Sequence, residues 1–446
     1  MNTAECHAGL AARAAGAAGV AGVAAVAGER AGLPRLLPEQ RGGGPATLAG
    51  HLARHGRLPR AGPDTGRRAE FIAEVGRAGL TGRGGAGFPT ARKLAAVAAG
   101  HGRPVVIGNG TEGEPASAKD KVLLACEPHL VLDGMVFAAE LTGARRALIV
   151  VHPAVREIVD AAVAERSRAG CDPVRVRVLT AAGRFVAGEA SALVNWVEHG
   201  RPVPTRVPPR ISERGLGGCP TLVQNVETLA HLALIARYGA AWFRSLGTPA
   251  EPGSMLVTAT GAVQRPAVYE IGIGAAVGDV LALAGGPAAE LTALLIGGYS
   301  GTWVDQAAAM TLPFSAAGLR PVGGSPGAGL LAALPAGVCG LAETARVARY
   351  LAAESAGQCG PCVFGLGSIA AELEALAAGR RFDLARLHRW LSQVDGRGAC
   401  HHPDGAFRMI RSALAVFAPE LAQHARGWCG GTRPAGVLPI PARAVR

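Results

Sequence analysis

The chain has 446 residues, 49% of them apolar and 17% charged, enough apolar material for several cores and inconsistent with global disorder. Its 64 glycines and 30 prolines follow no collagen period and favour a loop-rich α/β architecture over a coiled coil or a pure helix bundle. The net charge of +12 is spread over dispersed arginines and aromatics are only 4%, so there is neither a basic run nor a stacking platform for nucleic acid.

Residues 1–66 are rich in Ala, Gly and Arg, which predicts a mobile or poorly packed arm in which His7, His51 and His55 take solvated roles. The charge-free stretch 14–28 is too short and too rich in Ala and Gly to cross a bilayer. Glu5 ahead of it argues against a secretory signal, so a cytoplasmic chain without membrane insertion is expected.

Order is expected from about residue 68. A helix over 69–78 runs into a glycine-rich loop, a second helix restarts with Thr90 as its cap, and 104–108 reads as a short buried strand. Helical segments at 129–141, 155–168 and 188–199 then alternate with strands at 147–151 and 174–179, the pattern of a largely parallel sheet between helices. A proline-rich crossing at 202–209 precedes a helix predicted over 223–238.

Near residue 253 the pattern changes. Strands at 255–263 and 267–271, a helix at 277–284 and a strand at 294–298 suggest a small β-grasp-like unit. From 341 onward the pattern is helical, ending in a Pro/Arg-rich tail after Cys429. The expected division is an arm (1–66), an α/β domain (67–245), a β-grasp domain (250–325), a helical domain (335–430) and a tail (431–446).

Gly82-Arg83-Gly84-Gly85-Ala86-Gly87 satisfies G-x-G-x-x-G but follows a helix, so the Rossmann context is missing. Freed backbone amides beside a helix start can still cradle a phosphate; the plainer alternative is an ordinary glycine-rich turn. The chain's three lysines, Lys93, Lys119 and Lys121, all fall just after this loop, which suggests positions that need a compact ammonium. Asn109, Glu112 and Glu114 follow the first predicted strand, at the sheet edge where α/β proteins bind ligands. There the two glutamates either accept hydrogen bonds from a ligand or form a solvated acidic turn.

These motifs, continued by Gly188-Glu189, by residues 220–229 with Asn225 and Thr228, by Arg265-Pro266 and by the Cys359 region, resemble the flavin- and NADH-binding 51 kDa subunit of respiratory complex I. Flavin subunits of NAD-linked hydrogenases and formate dehydrogenases share this family. The resemblance covers residues 68–425. It implies an FMN-binding α/β sandwich domain, a β-grasp (SLBB-like) domain and a C-terminal helical iron–sulfur domain.

By the same resemblance FMN contacts fall on Arg83, Gly84, Gly85, Gly87, Lys93, Asn109, Glu112, Gly188, Glu189, Asn225 and Thr228, with the phosphate near the last two. NADH contacts fall on Phe88, Lys93 and Glu114. Hydride would pass from NAD(H) to FMN and single electrons onward to a [4Fe-4S] cluster held by Cys359, Cys362 and Cys400. No protein acid or base is required.

The chain departs from the family at several points. Ala96 or a neighbour replaces a second aromatic, Ala190 replaces the second of two glutamates, and Val207-Pro208-Pro209-Arg210 replaces Lys-Pro-Pro-Phe. Ala356 stands where the first cluster cysteine belongs. The open alternatives are a three-cysteine or three-iron cluster, a Cys₃His zinc site using His401 or His402, recruitment of Cys339, or no centre. Cys6, Cys126, Cys171, Cys219 and Cys429 read as ordinary thiols.

Three functions follow from this resemblance: NADH dehydrogenase-like electron transfer, a ferredoxin-fed FMN/iron–sulfur subunit without NADH oxidation, or a docking module that has lost its cofactors. The expected partners are a small iron–sulfur or ferredoxin-like protein within a larger redox complex.

Overall fold

The computed structural model describes residues 26–27, 32–38, 44–205 and 207–441. After a two-residue strand β1 (Val26–Ala27) come helices α1 (Leu48–His55), α2 (Thr65–Ala78) and α3 (Thr90–Ala98). An alternating series follows: β2 (Val105–Gly110), α4 (Lys119–Cys126), α5 (Pro128–Thr142), β3 (Arg146–Val151), α6 (Arg156–Arg168), β4 (Val176–Thr180), α7 (Ala190–His199), β5 (Thr221–Asn225) and α8 (Val226–Phe243). The four strands β2–β5 form a parallel sheet in the order β4-β3-β2-β5.

Strands buried on both faces read as unbroken apolar runs, and this sheet shows why. Val106 packs into the core with α5 and α8, whereas Val105 and Ile107 face the cluster under α7. All fifteen residues of α5 are buried. At Gly134 a Cβ would lie 1.9 Å from the Leu229 carbonyl oxygen, so α5 and α8 meet backbone to backbone and only glycine fits.

Two local expectations shift. The segment 223–225 is the end of β5, and the helix expected from 223 begins at 226. A short apolar run does not distinguish a buried strand from a helix until its partner is known, and here the partner is β2. Thr90 is the first helical residue of α3, whose cap position is Pro89 with no side-chain cap.

The predicted arm is anchored to the core at several of its described residues. Leu36 and Leu37 are fully buried, α1 is capped by Thr47, and His51 is 1% exposed rather than solvated. The cause lies far along the chain. The buried Glu270 carboxylate accepts from the backbone N–H groups of Arg35 and Leu36, both at 2.9 Å, and from the Ser254 hydroxyl at 2.7 Å. A buried carboxylate needs such donors, and the low-complexity segment supplies them. His7 and Cys6 lie outside the described residues.

The second sheet contains β6 (Ser254–Gly261), β7 (Ala267–Gly272), β8 (Leu291–Ile296), β9 (Thr302–Asp305) and β10 (Leu330–Pro335), with α9 (Val277–Leu283) after the first hairpin. Its order is β1-β7-β6-β10-β8-β9. β9 and β10 have no counterpart among the elements expected from sequence. β10 lies beyond the expected boundary at 325 yet runs parallel to β6 in the middle of the sheet.

Helices α10 (Gly340–Ala353), α11 (Leu366–Ala377), α12 (Leu384–Val394), α13 (His402–Val416) and α14 (Ala418–His424) complete the fold around a core that includes Phe407 and Ile410. The expected tail returns to this core. Leu438 is 1% exposed, its N–H and that of Gly436 donate to Glu343, and Pro439 accepts from the Tyr299 hydroxyl at 2.6 Å. Among the described residues, no single helix is long and apolar enough to cross a membrane.

Candidate functional site

The ends of β2 and β5, the 82–87 loop and the turn before α7 converge on one groove. The loop is held beneath by the Arg83 N–H, which donates to Thr228 Oγ1 at 2.8 Å on the first turn of α8. Gly84, Gly85 and Gly87 are exposed, the last two with φ of +107° and +60°. A Cβ on Gly84 would press on Asn225 at 3.3 Å and one on Gly188 on Thr111 at 3.1 Å, so this lining is shaped for bare backbone. Asn109 Nδ2 donates to the Gly188 carbonyl at 2.9 Å and couples β2 to the turn.

Two helix N-termini face the same region. Asn225 caps α8 by accepting from the Glu227 N–H, and Glu189 caps α7 by accepting from the Ala192 N–H at 2.9 Å. Lys93 is half-buried, and its Nζ reaches only the Val223 carbonyl, at 3.3 Å. Burial lowers its pKa, Glu189 opposes the shift, and it forms no ion pair with a described carboxylate. A cavity of about 400 Å³ opens alongside, lined by Phe88, Lys93, Glu189, Ala190, Val207 and Arg210. Phe88 is 41% exposed to it, with the Arg92 guanidinium 5.6 Å from its ring.

Other sequence-predicted residues turn inward. Glu112, the one described non-glycine residue at positive φ, accepts from the N–H groups of Asp120 and Lys121, each at 3.0 Å, and pairs with Lys121 Nζ at 2.8 Å. Lys119 is clasped by Asp120 at 2.7 Å and Glu227 at 2.8 Å, and Glu227 also accepts from the Leu256 N–H in β6. Burial pushes Asp120 up to about 6 against the pull of Lys119, and Asn225 Nδ2 donates to it at 2.6 Å.

Glu114 accepts from the Tyr299 N–H at 2.8 Å, and burial raises it to about 7 despite that bond. These carboxylates and the two later lysines form a joint between the first and second units. The Arg83 guanidinium is likewise buried, on Thr81 and Pro252. Thr228 is fully buried.

The thiols lie at the far side of the turn. Cys359 Sγ is 3.6 Å from Cys362 Sγ, and Cys400 is near enough for its charge to act on Cys362. Burial pushes the Cys359 thiol up, but hydrogen bonds from the N–H groups of Ala399 and Cys362 and from the Cys362 thiol outweigh it and leave a net lowering, a thiolate-favouring setting. Cys400 is raised by burial and by the Glu189 carboxylate, the cap of α7.

A strip unforeseen in the sequence joins groove to thiols. Phe185 packs edge-on to Tyr350 and 5.4 Å from the His402 ring, its N–H donates to Glu354 at 3.0 Å, and Gly188 receives Asn109. The sequence signal was modest: an aromatic three residues before Gly188.

A second sulfur group, Cys339, His424 and Cys429, offers ligand atoms within 4.8 Å of one another, with Cys339 Sγ 3.3 Å from His424 Nε2. Cys339 caps the N-terminus of α10, whereas Cys359 follows its C-terminus.

Exposed backbone amides, an unpaired half-buried ammonium and two helix N-termini suit a flat cofactor carrying a phosphate, as FMN does. The thiols suit a cluster with three protein thiolates, because Ala356 offers no ligand atom.

Known proteins agree with this reading. Residues 75–234 match the Nuo51 FMN-binding domain, 256–296 the SLBB domain and 342–424 the NADH-ubiquinone oxidoreductase-F iron-sulfur binding region. The F subunit of the Streptomyces coelicolor NADH-quinone oxidoreductase is 32% identical over 376 residues, 80% of this chain and 83% of the relative. The second of two such F subunits in Rhizobium meliloti is 30% identical, over 80% of this chain and 88% of the relative.

Among solved structures, a crystal structure of NAD⁺-reducing [NiFe]-hydrogenase in the air-oxidized state superposes with a TM-score of 0.75 at 34% identity. The match covers 85% of this chain and 65% of the hydrogenase chain, so this chain spans about two thirds of that neighbour. The three matched domains follow one another in this order along the chain, and the chain belongs to the 51 kDa flavoprotein family, the F subunits of NADH-quinone oxidoreductases.

Proposed function

We propose that this chain is the NADH-oxidising flavoprotein subunit of a larger redox complex, passing electrons from the groove to an iron–sulfur centre at Cys359, Cys362 and Cys400. The supporting observation is the 184–189 strip, which carries Glu189 and Gly188 at the groove and Phe185 beside His402, next to Cys400. FMN, when bound, would supply the conversion of a hydride into single electrons.

The chain's own residues bind, orient and shield. The 84–87 backbone, Lys93, Asn109, Gly188, Glu189 and Asn225 would hold the flavin. Arg83 and Thr228 act from beneath by fixing that backbone, and Glu112 holds the start of α4 through the Asp120 and Lys121 N–H groups. Phe88 and Lys93 face the cavity that would take the dinucleotide, and Arg210 stands where it can stack in place of the family's aromatic. Glu114, buried against Tyr299, shapes the inner wall.

A small iron–sulfur protein is the expected acceptor, and a net charge of +12 favours an acidic one. A reducing compartment such as the cytoplasm suits eight described cysteines that are all unpaired.

The anaerobic visible spectrum of the chain reconstituted with FMN, iron and sulfide, before and after NADH, tests this reading. Flavin bands that bleach promptly are expected. Ala190 and Val207 in the cavity favour a second reading, in which reduced ferredoxin feeds the flavin. Bands that ignore NADH but respond to reduced ferredoxin would select it, and a featureless spectrum would leave only a docking module.

A further inference from the structure

Helix α1 presents His51 and His55 one turn apart on one face, with ring centroids 5.1 Å apart. Glu127, just ahead of α5, completes a set of three whose ligand atoms all lie within 4.8 Å of one another. His51 is 1% exposed and Glu127 2% exposed. On each of the three residues one buried atom, His51 Nδ1, His55 Nε2 and Glu127 Oε2, has no hydrogen-bond partner among the described residues. Unsatisfied buried groups each cost about 1–3 kcal/mol, so three on neighbouring residues call for a shared partner.

The surrounding contacts prepare these atoms as donors. His51 Nε2 lies 2.7 Å from Asp133 Oδ2, and Asp133 is also bound by Arg166 at 2.7 Å and by Arg237. A carboxylate held ionised by two guanidiniums can only accept, so the His51 proton sits on Nε2 and the Nδ1 lone pair is free. A carboxylate on the far nitrogen is the usual support of a metal-bound imidazole. Arg54 takes Glu127 Oε1 at 2.5 Å and leaves Oε2 available. The nearby guanidiniums are matched by Asp133, Glu127 and Asp172, so they do not leave the site cationic.

We infer that His51, His55 and Glu127 bind a divalent transition-metal ion of the zinc class, which fastens α1 to the start of α5. Two imidazoles and one carboxylate leave a fourth tetrahedral position for water. None of the three residues lines the groove, so the inference stands apart from the redox reading.

The test uses the full chain with its cysteines alkylated, stripped by a chelator and titrated with zinc or Co(II). One equivalent should bind, Co(II) should give visible d–d bands without thiolate charge transfer, and zinc should raise Tm. His55→Ala and, separately, Glu127→Gln should each lose that equivalent and the zinc-dependent rise in Tm. If wild type and a folded variant bind equally, or if wild-type Tm ignores zinc, the three atoms share only water and the inference fails. Should both variants misfold, the wild-type Co(II) spectrum decides alone: no d–d bands after alkylation overturns the site.

Discussion

Lys93, Lys119 and Lys121 share a residue type and a short stretch of chain, yet the structure gives them different work. Lys93 reaches only a carbonyl at the groove, whereas Lys119 and Lys121 are buried against Glu227, Asp120 and Glu112. Lys93→Met should therefore leave the fold intact and weaken FMN binding about 10–100-fold in a fluorescence titration, the worth of one charge-assisted hydrogen bond. Unchanged affinity would remove Lys93 from the site. Glu114 carries a different signature. Burial raises it to about 7 from 4.5, so the native state binds the extra proton and loses stability as pH rises between those values. Glu114→Gln should stabilise by about 3 kcal/mol at pH 8 and by much less at pH 5, at 1.36 kcal/mol per pKa unit. Equal gains in Tm at the two pH values would show that Glu114 does not titrate in this range.

At the scale of elements, the loop ends that carry the motifs also lock the units together. Glu227 on α8 ties Lys119 to the N–H of Leu256 in β6, and Glu114 ties the β2 edge to Tyr299. The 184–189 strip does the same toward the helical unit, with Glu354 receiving both Arg184 and the Phe185 N–H. That strip ends near the three thiols proposed above as cluster ligands. Ala356→Cys should supply the missing thiolate and raise iron after reconstitution toward about four atoms per chain, with slower loss under air. Iron content equal to wild type would mean that position 356 does not face the cluster. The missed strands β5, β9 and β10 belong to this scale too: each is a run of four to six residues whose state depends on a neighbour distant in sequence.

Across the whole molecule, the described segments toward either end of the chain are structural. Residues 32–38 complete the hydrogen bonding of Glu270, and 436–439 complete that of Glu343 and Tyr299. Deleting residues 1–43 should lower Tm markedly, because Leu36 and Leu37 each contribute roughly 1.5–3 kcal/mol of burial and Glu270 is left without its backbone donors. A truncated chain with the wild-type Tm would show that this segment only rests on the surface.

The family, the order of the three units, the glycine loop and the close spacing of cysteines are all legible in one dimension. These are local signals: glycines where bare backbone is required, cysteines in close spacing, apolar runs of strand and helix length. Which charged residues face the groove is settled in three dimensions instead. Glu112, Lys119 and Lys121 look like site residues along the chain, but Glu112 and Lys121 pair with each other and Lys119 pairs with Asp120 and with Glu227, 108 positions on, which turns them inward. The packing of a low-complexity arm and the burial of His51 are tertiary outcomes of the same kind. Burial is set by what covers a residue, and the cover here comes from α5 and β7, far along the chain.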